Sequence, residues 1–81
     1  MDDLDLPHNP RELGHKIMVV RKSKKMTNAE VAQKVGMPKS HLWQIETGER
    51  HVSSATLLKI AEALGVNVVC FFQSNPLEPT A

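Results

Sequence analysis

One cysteine, no tyrosine, two phenylalanines and one tryptophan are the only thiol and aromatic side chains in 81 residues. The lone Cys70 cannot form an internal disulfide and suits a reducing compartment, so a cytoplasmic protein is expected. No apolar run approaches the roughly 20 residues needed to cross a bilayer, and the start MDDLD is acidic rather than apolar. No membrane partner is expected. His8, His15, His41 and His51 lack metal-ligand spacing. A glycine-rich phosphate loop, a nucleophile motif and a carboxylate cluster are also missing, so neither an enzyme nor a cofactor is expected.

What is present is a basic middle. The net charge is only +1, yet all ten Lys and Arg residues lie between Arg11 and Lys59. Only Glu12, Glu30, Glu46 and Glu49 oppose them there, an excess of six positive charges. Such a segment between acidic ends points to an anionic partner.

Helix signals then follow one another at short intervals. Asn9, Pro10 and Glu12 mark a first helix through Leu13, Ile17 and Val20, ending near residues 22–24. Thr27 and Glu30 form a second capping box, ahead of an inward face of Val31, Ala32 and Val35. Gly36 can take the left-handed conformation that closes a helix. Pro38 opens a third helix with Leu42 and Ile45 inward, ended at Thr47-Gly48. Ser53 or Ser54 caps a fourth, carrying Leu57, Leu58, Ile60, Ala61 and Leu64 to Gly65. Asn67 caps a short fifth, VVCFF, whose composition also fits a strand. The expectation is an all-α, compact five-helix domain over residues 9–73, with a disordered arm at 1–8 and a flexible tail at 74–81.

Helix positions advance by about 100° per residue. If Leu42 and Ile45 face the core, Ser40, Trp43 and Gln44 point away, with Lys39 on the flank. An outward tryptophan keeps roughly 200 Å² of mostly apolar surface in water, which suits a contact surface. The alternative is that Trp43 plugs a gap between the third and fourth helices.

Two helices joined by a short turn at Gly36 form a helix-turn-helix arrangement. At this point the chain resembles the phage repressor/Cro-type helix-turn-helix family. The resemblance runs from Leu13 to Phe72 through LGHKI and Arg21, MTNAEVAQKVGM, SHLWQIETGER and TLLKIAEALGV. It implies a lambda-repressor-like fold with the motif at helices 2–3, and a sequence-specific regulator of transcription, such as a repressor, acting as a homodimer on a palindromic site in double-stranded DNA. A recognition helix at about 38–46 would enter the major groove. Lys39, Ser40, Trp43 and Gln44 match positions that reach bases, although tryptophan is atypical there. Asn28 and Thr27 at the start of helix 2, Arg50 and His51 after helix 3, and Lys22 in helix 1 match or flank phosphate contacts. Arg21 and Glu46 match a pair that ties helix 1 to helix 3.

In the family, charged residues separate the apolar positions that match Val68, Phe71 and Phe72. Here Val69 and Cys70 stand between them, so the fifth segment is apolar on both sides. One side is left over, and a two-fold dimer through residues 66–72 is expected. The alternative is that both phenylalanines are core and the tail covers Val69 and Cys70. A different class of function is a protein-interaction module, such as an antitoxin that binds a partner protein as well as DNA.

Overall fold

The computed structural model describes residues 9–72. The arm expected at 1–8 and the tail expected at 74–81 lie outside the described residues. Four α-helices appear in order: α1 (Pro10–Ser23), α2 (Asn28–Val35), α3 (Lys39–Thr47) and α4 (Ser54–Leu64). A 3-10 helix, Val68–Phe72, follows. There are no strands among the described residues.

Local chemistry sets the helix ends. The Asn9 side-chain oxygen accepts from the backbone N–H groups of Arg11 at 3.0 Å and Glu12 at 3.3 Å. Only the Asn9 half of the expected Asn9–Glu12 box forms. At α2 the box is complete. Thr27 Oγ1 accepts from Glu30 N–H at 3.1 Å, and Glu30 Oε1 accepts from Thr27 N–H at 2.7 Å. Such reciprocal caps satisfy two amides that a helix start leaves unpaired. Gly36, at φ +90°, ends α2 in a conformation that L side chains rarely adopt, and a two-residue link leads straight into α3. Ser53 caps α4, its oxygen accepting from Thr56 N–H at 3.2 Å.

The expected fifth helix is corrected to a single 3-10 stretch. Asn67 governs it locally: its side-chain oxygen accepts from Val69 N–H at 2.9 Å, and its carbonyl accepts from Cys70 N–H at 3.0 Å. The second bond spans three residues, not four, and five residues holding two β-branched valines are too few to nucleate an α-helix.

Each helix contributes its apolar stripe to one core. Leu13, Ile17 and Val20 meet Val31 and Ala32, Leu42 and Ile45, and Leu57, Ile60, Ala61 and Leu64, with Phe71 fully enclosed. Burying a large apolar side chain contributes about 1.5–3 kcal/mol, so Phe71 anchors the chain's return onto α1 and α4. α1 packs on α3, and α2 packs on both α3 and α4. The α1–α3 approach depends on Gly14. A Cβ there would collide with the carbonyl oxygen of Ile45 and stand 2.8 Å from that of Glu46. Any side chain at position 14 would therefore push α3 off α1.

Candidate nucleic-acid interface

The packing of α1 against α3 is locked by charge. Arg21 Nε donates to Glu46 Oε2 at 2.7 Å, and its second terminal nitrogen donates to Oε1 at 3.0 Å. The remaining terminal nitrogen donates to the carbonyl of Met26 at 2.9 Å. The planar fork matches the carboxylate, and both side chains are almost wholly enclosed. This pair, together with Leu42 and Ile45, fixes which side of α3 faces inward. A short helix held at three inward points has one possible outward side.

That outward side carries Lys39, Ser40 and Trp43, all exposed, with Gln44 half-buried beside them. Trp43 leaves 53% of its surface uncovered, so it is not a plug between α3 and α4. Lys39, Ser40 and Trp43 join Asn28 around an open cleft of about 390 Å³ between the starts of α2 and α3. Both polar atoms of the Asn28 side chain are shielded from solvent and have no hydrogen-bond partner in the chain. Leaving such an amide unpaired costs about 1–3 kcal/mol, so it stands out as a group awaiting a partner. The N-cap of α3 is Pro38, which makes no side-chain cap, so the first amides of the helix are not occupied by the protein's own side chains.

The other expected contact residues do not line this cleft. Thr27 is occupied as the α2 cap, although its hydroxyl hydrogen remains free to donate. Lys22, in the last turn of α1, and His51, after α3, are both exposed. Arg50 is also exposed, and its Nε donates to Gln44 Oε1 at 3.0 Å. Nothing in the sequence announces this bond. It depends on how the chain turns at Gly48, where φ is +86°.

The dimer surface expected at the end of the chain needs one correction. Phe71 has no exposed surface, so it is a core residue and has nothing to offer a second chain. Val68 and Cys70 pack half-buried against the core. Burial pushes the Cys70 thiol up, partly offset by the charge of Lys24, so it stays protonated near neutral pH. Val69 and Phe72 remain outward, 51% and 39% exposed. Leu58, 51% exposed on α4, lies by Phe72. Leu58 sits about 100° round the helix from Leu57, which is the signal that only one of the two can enter the core. An apolar groove of about 250 Å³ lies here, lined by Leu13, Leu57, Leu58, Val68 and Phe72 among others. No group of three or more His, Cys, Asp or Glu residues among those described could hold a metal ion. No described helix is long and apolar enough to cross a membrane.

Residues 17–69 match the helix-turn-helix family HTH_3. The chain belongs to the phage repressor/Cro-type helix-turn-helix family of DNA-binding transcription regulators. Within that helix-turn-helix family, an immunity repressor protein of Bacillus phage phi105 is 36% identical over 56 residues, 69% of this chain and 39% of that protein. The chain thus spans about two-fifths of the length of that curated relative. Among solved structures, the clp gene regulator ClgR of C. glutamicum superposes with a TM-score of 0.77 at 29% identity, covering 80% of this chain and 84% of the other. The restriction-modification controller protein C.AhdI of Aeromonas hydrophila gives a TM-score of 0.75 at 27% identity, covering 78% and 96%.

Proposed function

We propose that the chain regulates transcription by binding a palindromic operator in double-stranded DNA as a homodimer. α2, the turn after it and α3 form its helix-turn-helix, and residues 38–46 lie in the major groove. The observation that carries this reading is the outward row on α3: Lys39, Ser40 and Trp43 around a cleft, with Gln44 beside them and Leu42 and Ile45 enclosed behind. These are groups that bond base edges or lie against a thymine methyl. A phosphate oxygen would bind the Asn28 amide at the start of α2 once that enclosed side chain turns outward, and Thr27, Lys22, Arg50 and His51 would add further phosphate contacts, which position the helix without reading sequence.

Selection from randomised duplex DNA, followed by Gln44→Ala, tests the assignment. The substitution is expected to relax discrimination at one base pair by about 1–3 kcal/mol. Equal losses on every sequence would deny Gln44 its reading role.

A second copy of the chain would cover Val69, Phe72 and Leu58, and would set two α3 helices about 34 Å apart, one DNA turn. Sedimentation is expected to give a dimer at micromolar concentration. A monomer at high micromolar concentration, with and without DNA, would exclude that arrangement. The same exposed patch is what favours the second reading, a regulator that also binds a partner protein, as an antitoxin does.

A further inference from the structure

A glutamine on a reading helix can present its amide in two ways. Its oxygen and its NH₂ group side by side match adenine, which shows an N7 acceptor next to an N6 donor. Its NH₂ group alone, with two N–H donors, matches guanine, which shows two acceptors, N7 and O6. Which face is offered depends on what already holds the amide.

Here the amide is held. Arg50 Nε lies 3.0 Å from Gln44 Oε1. A guanidinium has donors and no acceptor, so only the amide oxygen can face it. The partners meet because the end of α3 is tightly folded. Glu49 N–H donates to the Gln44 carbonyl at 2.8 Å, and Gly48 N–H donates to the Ile45 carbonyl at 3.2 Å. With Gly48 in the left-handed conformation, the chain doubles back and brings residue 50 alongside residue 44. The bond therefore follows from a fixed helix end.

Resting on the reading of α3 as the base-reading helix, we propose that Arg50 is a positioning residue that determines specificity. It claims the oxygen of Gln44 and turns the NH₂ group outward, so that Gln44 selects guanine over adenine. The N6 donor of adenine would have to share the Gln44 oxygen with Arg50, on its second lone pair and beside a positive charge that repels a donor. Guanine would meet two free donors. The terminal nitrogens of Arg50 keep their hydrogens for a phosphate oxygen, so one side chain couples a backbone contact to the choice of base.

The test uses the full chain and a duplex chosen by selection from random DNA, with every single base-pair variant titrated by fluorescence anisotropy. Gln44→Ala locates the base pair that Gln44 reads. The native chain is expected to prefer G·C over A·T there by roughly 5- to 150-fold. Arg50→Met removes the donor and the charge from an exposed position. A lost phosphate contact weakens both duplexes equally and cancels in the ratio, whereas a lost positioning contact collapses the ratio. The expected result is that collapse, with no further loss in the Gln44→Ala, Arg50→Met double variant. An intact guanine preference in Arg50→Met overturns the proposal, as does a native preference for adenine at that base pair. If Gln44→Ala alters discrimination at no base pair, the base-reading role of α3 itself fails, and the positioning role falls with it.

Discussion

Replacing Glu46 by alanine is expected to lower the unfolding free energy by about 3–5 kcal/mol. The reason is what the change leaves behind. Arg21 would keep its charge in a site where its side chain is only 11% exposed, with the Met26 carbonyl as its remaining acceptor. A domain of this size has about 4–12 kcal/mol of stability in all, so the loss removes a large share of it. For a small domain each kcal/mol corresponds to about 4–8 °C in Tm. Urea unfolding followed by helical circular dichroism measures the change directly. The pair is not irreplaceable as a source of stability, because well-packed apolar groups of similar volume can serve as well as a buried ion pair. The double variant Arg21→Met, Glu46→Leu should therefore recover most of what Glu46→Ala loses. A Glu46→Ala protein within about 0.5 kcal/mol of the native one would show that α3 is oriented by its apolar contacts alone.

DNA affinity is expected to fall about 10³-fold between 50 and 200 mM salt. Lys22, Lys39 and Arg50 give three cations near the proposed phosphate path in each chain, and two chains give roughly six phosphate neutralisations. Each releases counterions, so the slope of log K against log salt is about −5. Titrating one selected duplex across that salt range checks it. A slope shallower than about −2 would mean that the basic face does not track a DNA backbone. Contact with a partner protein through Val69, Phe72 and Leu58 should change little over the same range, because apolar association is not screened by salt. Salt dependence therefore tells the DNA contact from an apolar protein contact, and a chain that makes both shows each behaviour with its own partner.

How much of this is legible in the sequence depends on the range of the forces involved. The α2 capping box and the left-handed Gly36 are encoded within four residues of where they act, and the expected helix limits match the structure there. The outward side of α3 follows from helical period alone, since Leu42 and Ile45 can be inside only if Trp43 is not. VVCFF is harder to read. Its residues suit a strand, a helix or neither, and the outcome turns on Phe71 entering a core built by four other elements. The bond between Arg50 and Gln44 is illegible for a similar reason. Six residues separate the two, and only the direction of the chain after Gly48 brings them together. Leu58 falls between these cases, because the helical period excludes it from the core but does not say what covers it.

Trp43 has one more consequence. The chain has no tyrosine and no second tryptophan, so its near-ultraviolet emission comes almost entirely from one indole outside the core. Such a fluorophore changes little when the bundle melts, because water already surrounds much of it. It responds instead to whatever settles against α3, which makes the native protein an unlabelled optical sensor of its own docking.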